Sequence, residues 1–273
     1  MPILDLYLFT LAKSTDPQSF IQQLKQTPNL KVIVASRPRH VVIHPNILDS
    51  ETLTKNPWDL LVLIQNNDPE KQNPVHHLRH SITNSYKVPT GIPSKLLSDY
   101  NTRSDKLKSE ASSIPLTGSL DKLLRAGSKD TSQNLEVSPS LLEFMHQLEK
   151  TFKGPVTMLN LLHFHHPDGK KSYYQYGQAF IPVAGKRGGH AKLVGNVVPA
   201  PEGQDYSRDG REKEGWWNEI SIVHYPSIRH FCDMLAGEDY QAINEKYRLS
   251  ALRDTFLLCT TEFDVEGSGS SKL

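Results

Sequence analysis

The sequence predicts an α+β fold built from two consecutive β-α-β-β-α-β units, and three observations carry that reading. Short apolar runs of strand length alternate with segments whose apolar residues recur at i, i+3, i+4 and i+7. Cap and turn signals separate them, among them Asp16-Pro17, Ser138-Pro139, His166-Pro167-Asp168-Gly169 and Gly188-Gly189. A polar stretch rich in Ser, Lys, Asp and Thr, residues 94–139, divides the chain into two more apolar parts.

The carboxyl-terminal unit is the clearer one. Pro155 to His165 is a strand, closed by the His166 to Gly169 turn. Tyr173, Tyr176, Gly177, Phe180, Val183 and Ala184 then fall at helical spacing, and Gly188-Gly189 marks that helix's end. His190 to Val198 and Trp216 to Tyr225 form a hairpin-like pair of strands. Ser227 precedes a helix carrying Ile228, Phe231, Cys232 and Leu235, continued past Gly237 by a second piece from Tyr240 to Tyr247, and Thr255 to Phe263 is the last strand. The order is that of a ferredoxin-like unit.

The amino-terminal unit repeats the order less cleanly. Ile3 to Leu11 is a strand, and Asp16-Pro17 caps a helix with Phe20, Ile21 and Leu24 on its face. Leu30 to His44 and Trp58 to Gln65 are strands. His76 to Thr83 is read as the second helix and Tyr86 to Ile92 as its strand, with Pro89, Gly91 and Pro93 arguing for an edge or loop. A helix opened by Ser138-Pro139, with Leu141, Phe144, Met145, Leu148 and Phe152 on one face, is expected to cross the junction. The division expected is a unit over 1–93, a polar linker over 94–139 that is helical around Leu120 to Ala126, a unit over 140–264, and a flexible tail over 265–273.

The 273 residues carry 31 Lys+Arg against 30 Asp+Glu, a net charge of +1, without a concentrated basic run. That balance argues against nucleic-acid binding, which needs a basic field. No segment approaches the roughly 18 uninterrupted apolar residues of a membrane span. The start has no basic leader, and two widely spaced cysteines, Cys232 and Cys259, make no disulfide framework. The reading is a soluble intracellular protein. Ser271, Lys272 and Leu273 after a Gly/Ser-rich stretch form a peroxisomal import address, which implies the import receptor as a partner and the peroxisome as the location; a linker scar is the other source of such a tail.

Several stretches carry a resemblance: Asn160-Leu161-Leu162-His163-Phe164, the aromatic helix from Tyr173 to Tyr176, Gly188-Gly189, Trp217-Asn218, Tyr225-Pro226-Ser227 and Asp239-Tyr240-Gln241-Ala242. In this order and spacing, from Gly154 to Glu262, the chain resembles DUF1330, a family of unknown function in the dimeric α/β-barrel superfamily. The amino-terminal half is similar to the superfamily in element order alone. His163 and His165 stand where the family more often has Lys or Arg, so no role is carried over to them. The resemblance implies two sheets face to face around a barrel with helices outside, closed here within one chain as a pseudo-dimer; a homodimer of such chains stays open. The superfamily includes cofactor-independent monooxygenases, isomerases, cyclases, decarboxylases and some haem enzymes, so fold leaves the reaction undecided.

Alternate residues of a strand face opposite sides, and the wholly apolar set is expected under the helices. That assigns Met158, Asn160, Leu162 and Phe164 to the barrel interior, with Trp217, Glu219, Ser221, Val223 and Tyr225 from the seventh strand. His190, Lys192, Val194 and Asn196 follow, and Asp5, Tyr7 and Phe9 from the first strand. The expected result is an apolar, aromatic chamber with a few polar groups, suited to a small apolar metabolite.

Glu219 is the general-base candidate, since burial beside Trp217 would raise its pKa; Asn160 and Tyr7 could orient a carbonyl or stabilise an enolate-like charge. Against this, Glu219 could pair with Lys192 and Asn160 could merely satisfy backbone groups. The histidines of His163 to His166 and His76 to His80 lack the carboxylate or Cys that would complete a metal pattern, so neither metal nor another cofactor is expected. Gly185 to Gly189 reads as a helix C-cap rather than an anion loop. The functional expectation is a peroxisomal enzyme of cyclase, isomerase or monooxygenase type, using acid/base chemistry on an aromatic or polyketide-like molecule of secondary metabolism. A non-catalytic binder of such a molecule and a structural or interaction protein with a filled barrel are the alternatives.

Overall fold

The structure, a computed structural model, describes residues 1–68, 73–126, 134–198 and 215–266. Ser271, Lys272 and Leu273 lie outside the described residues. The strands are β1 (Ile3–Leu11), β2 (Leu30–Ile43), β3 (Leu60–Asn66), β4 (Ile82–Gly91), β5 (Val156–Phe164), β6 (His190–Val197), β7 (Glu219–Tyr225) and β8 (Leu252–Glu262). They form a closed antiparallel barrel in the order β1-β3-β2-β8-β5-β7-β6-β4. Read by halves, that ring is β4-β1-β3-β2 followed by β8-β5-β7-β6. Each half has its first and third strands in the centre, so the protein is a pseudo-dimeric α/β barrel closed within one chain.

Closure removes sheet edges, and it does so through two unequal seams. β2 runs along β8 from Ser36 opposite Glu262 to Ile43 opposite Leu257, with two register shifts. Among the described residues, β4 meets β6 through Thr90 opposite Val197 and Gly91 opposite Asn196. Here Gly195 permits the approach, because a Cβ on it would lie 2.4 Å from Cγ2 of Thr90 and 2.9 Å from the Gly91 carbonyl oxygen. Gly195→Val is therefore expected to destabilise the fold by about 1–3 kcal/mol, read as a lower denaturant midpoint. An unchanged midpoint would show that this seam contributes nothing.

Helices cover the outside of each half. α1 (Pro17–Gln26) starts where the Asp16 side chain accepts from the Ser19 N–H, and Phe20, Ile21 and Leu24 pack on the outer side of β1 and β3 with Tyr7, Phe9, Leu60, Val62 and Ile64. Two elements depart from expectation. The second helix of the amino-terminal unit is reduced to a 3-10 turn at His76–Ser81, while a short α2 (Ser50–Lys55) lies between β2 and β3. The fourth strand is neither edge nor loop: β4 pairs with β1 along its length, and the Pro89 carbonyl accepts from the Val198 N–H.

Residues 94–126 fold against the barrel as α3 (Ser94–Ser98), α4 (Tyr100–Glu110) and α5 (Ser119–Ala126). Asp233 anchors the start of α5, accepting from the backbone N–H of Thr117 at 2.8 Å and of Leu120 at 2.9 Å. α6 (Pro139–Thr151), α7 (Gly169–Gly185), α8 (Ile228–Leu235) and α9 (Glu238–Ile243) build the outer layer of the carboxyl-terminal half, and α10 (Phe263–Glu266) follows β8. Gly188, in the left-handed region at φ +68°, and Gly189, whose N–H donates to the Ala184 carbonyl, end the α7 region as a C-cap does. None of the described helices is long and apolar enough to cross a membrane.

Candidate active site

Apolar side chains from both halves meet inside the barrel, and the cavity that the described residues line lies elsewhere. Leu4, Leu6 and Leu8 of β1, Leu159 and Leu161 of β5, Leu193 of β6, and Ile220 and Ile222 of β7 share one buried cluster, with Phe256 and Leu258 from β8. These side chains point into the barrel rather than under the helices, and the same strand faces carry the buried hydroxyls of Thr157 and Thr260, which bond each other at 2.7 Å. The cluster extends beyond the strands. Leu53 of α2 and Trp58, which precedes β3, join this cluster with Tyr86, Trp216 and Trp217; Trp217 donates to the Tyr86 hydroxyl at 2.8 Å, and that hydroxyl donates to Asp49 at 2.7 Å. Tyr100 of α4 joins it from the β6 side. Packing these apolar side chains against one another removes their surface from water.

The faces that carry Asn160, Glu219 and Ser221 lie under the helices. In the carboxyl-terminal half this face holds a cavity of about 580 Å³ between α7 and the outer side of β5, β7 and β6. Met158, Asn160, His190, Glu219, Ser221 and Tyr225, six of the residues singled out from the sequence, line it. The parity of the strands thus keeps these residues together, on the side opposite to the one expected. α7 supplies the roof through Tyr173, Tyr176, Gly177 and Phe180, its rings stepping along the helix at 5.2 and 5.7 Å. Gly177 leaves open space at the roof, where an added Cβ would meet nothing within 4 Å. The rim carries the exposed large apolar side chains Tyr174 and Ile181.

The remaining predicted residues are elsewhere. Asp5, Tyr7 and Phe9 lie on the outer face of the amino-terminal sheet; Tyr7 stacks on Phe9 at 4.8 Å, and Asp5 pairs with Lys87 at 3.1 Å. Trp217 belongs to the barrel core, and Phe164 packs on Tyr173 at 5.3 Å without lining the cavity. Lys192 occupies the register shift between Ala191 and Leu193 in β6, which turns it toward α4. There it donates to Ser104 at 2.7 Å and pairs with Glu262 at 2.5 Å, beside a second pair between Lys108 and Glu262 at 2.6 Å.

Lys192 therefore does not neutralise Glu219. The Glu219 carboxylate has no hydrogen bond or ion pair to any described residue. Burial pushes its pKa up to about 7, against a partial pull from Lys170 at the start of α7. Lys170 instead donates to Asn196 Oδ1 at 2.7 Å. Asn160, across from Ser221 in the β5–β7 ladder, makes only a 3.4 Å contact from Nδ2 to the Met158 carbonyl, so its amide is available to a ligand. A carboxyl that is half ionised near neutrality, an amide and a hydroxyl thus share one apolar cavity. That set can take a proton from carbon and hold a developing enolate oxygen. Among the described residues, His, Cys, Asp and Glu form no group of three or more placed to hold a metal ion.

Sequence reasoning missed Tyr173, Tyr176, Tyr240 and Arg248 as lining. The tyrosines were legible as an aromatic helix stripe, but only the reversed sheet orientation turns that stripe toward a cavity. Arg248 lies in a π-helical segment, Asn244–Arg248, that periodicity does not reveal.

No family model and no curated protein matches the chain. Among solved structures, it is similar to a protein of unknown function from Rhodopseudomonas palustris, at 25% identity over 45% of this chain and 94% of that one, with a TM-score of 0.32. It is also similar to a protein from Fusobacterium nucleatum subsp. nucleatum named "putative monooxygenase", at 9% identity over 95% of this chain and 92% of that one, with a TM-score of 0.45. At these scores neither likeness bears on the chemistry of the cavity.

Proposed function

We propose that this chain is a DUF1330-like tandem-barrel enzyme whose cavity beneath α7 removes a proton from a carbon acid of aromatic or polyketide-like type, with Glu219 as base. The single observation that carries the reading is a carboxylate without a partner among the described residues, poised near neutral pH in a ligand-sized apolar cavity. Cyclisation, isomerisation and oxygenation of such molecules share this first step. The carbon-bound proton passes to a Glu219 oxygen, and the electron pair left behind becomes an enolate that Asn160 Nδ2 and the Ser221 hydroxyl can stabilise as donors. Tyr7 has no part in it, since it lies under α1 in the other unit.

The apolar cluster inside the barrel supports the structural alternative only for the barrel itself, because the cavity lies outside it. A binder without catalysis remains the reading to be tested against. In deuterium oxide, the protein is expected to speed exchange at the α-carbon of 1-tetralone, with a rate that rises with pH around a midpoint near 7. Gly177→Leu, which fills the open space in the roof, is expected to stop that exchange. Exchange at the buffer rate would remove the catalytic reading.

Delivery to the peroxisome is proposed separately, on the tripeptide Ser271-Lys272-Leu273. A fluorescent protein ending in residues 264–273 is expected to enter peroxisomes. Diffuse fluorescence would remove that proposal.

A further inference from the structure

Among the described residues, the cavity holds one buried cation that no carboxylate neutralises. Arg248 lines the cavity and is 2% exposed. Its Nη2 has no hydrogen-bond partner, and among the described residues no carboxylate pairs with the guanidinium. The segment that places it is unusual: the Leu249 N–H reaches back five residues to the Asn244 carbonyl, a π turn at the end of α9. Leaving a guanidinium buried and unpaired is strongly unfavourable.

Nothing among the described lining residues answers that charge. Glu219 is the one carboxylate among the described lining residues, and the cation acting on it is Lys170, not Arg248. Around Arg248 stand the phenols of Tyr173, Tyr176, Tyr225 and Tyr240. Burial pushes each of them up, and the opposing pull of Arg248 leaves them protonated. Tyr176 and Tyr240 meet each other, oxygen to oxygen, at 3.3 Å, and Tyr225 donates to Met234 Sδ at 3.5 Å.

We propose that the ligand supplies the missing charge: the cavity takes an aromatic or alicyclic carboxylate, whose carboxylate pairs with Arg248 while its apolar body lies among Met158, Tyr176, Phe180 and Leu257. This deepens the function proposed above and rests on it for the use made of the cavity. A planar carboxylate matches the guanidinium fork and brings the single negative charge required. A phosphate monoester would bring a second charge for which the described wall has no buried cation, because Lys170 is exposed.

The test is calorimetric titration of the full chain at pH 8 with 1-naphthoate, with methyl 1-naphthoate as its uncharged counterpart. Naphthoate is expected to bind roughly 10- to 100-fold more tightly than the ester. Arg248→Met is expected to bring naphthoate down to the level of the ester and to leave ester binding unchanged. It is also expected to raise the melting temperature of the ligand-free protein, since it removes a buried unpaired charge. Arg248→Lys is expected to retain part of the preference. Equal binding of the two probes, no naphthoate binding at millimolar concentration, displacement of naphthoate by inorganic phosphate at equal concentration, or a lower melting temperature in Arg248→Met would each overturn the proposal. Binding requires no turnover, so anion selectivity can stand if Glu219 proves not to be a base. A catalytic cavity that is indifferent to ligand charge would show the reverse.

Discussion

Glu219→Gln is expected to be both inactive and, above neutral pH, more stable than the parent protein. Loss of the base is expected to cost about 10²- to 10⁴-fold in α-carbon exchange, the range that general-base catalysis contributes. The stability gain follows from proton linkage. Glu219 titrates near 7 in the fold against an ordinary value of 4.5. Between those values the folded protein keeps a proton that the unfolded chain has already released, so stability falls as pH rises through that window and levels off above it. The glutamine side chain has the same shape and does not titrate. The variant is therefore expected to match the parent near pH 4.5 and to exceed it by about 2–3 kcal/mol at pH 8. Denaturant titrations at the two pH values check this, and a difference that does not change with pH would contradict it.

Breaking the buried charge cluster beside α4 is expected to have the largest effect on folding. Glu262 is 6% exposed and accepts from both Lys192 and Lys108. Burial alone would raise its carboxyl, but the two ammonium groups overcome that and hold it below the usual carboxylate range. Glu262→Ala strands Lys192, itself fully buried, and is expected to cost about 3–5 kcal/mol. The double variant Lys192→Met with Glu262→Leu removes both charges together and is expected to recover most of that loss. The parent's own contribution from Glu262 is complete above pH 4.5 and is lost as pH falls through the lower folded value. If the double variant proved as unstable as Glu262→Ala, packing rather than the stranded charge would be the cause.

These two glutamates show what could and could not be read from the sequence. Periodicity located the strands to within a few residues and kept Asn160, Glu219 and Ser221 on one face, because side-chain parity is a local property of an extended chain. Which face meets the helices is not local. It depends on the barrel closing through its two seams and on the elements that join its inner cluster, among them α2 and α4, which came from segments with weak or polar patterns. Lys192 was assigned by parity to the same face as Glu219. The register shift at that residue breaks the parity and sends it to Glu262 instead. Arg248 was invisible for a related reason, since a π turn shifts its side chain off the helical period that a pattern search follows.

The central claim is that Glu219 is poised near neutrality in the cavity under α7. Carbon-13 NMR of its side-chain carboxyl, assigned by comparison with Glu219→Gln and followed from pH 3 to pH 9, tests it directly. A midpoint near 7 is the expected result. A midpoint at the ordinary carboxylate value of 4.5 would contradict the account and leave the cavity without its base.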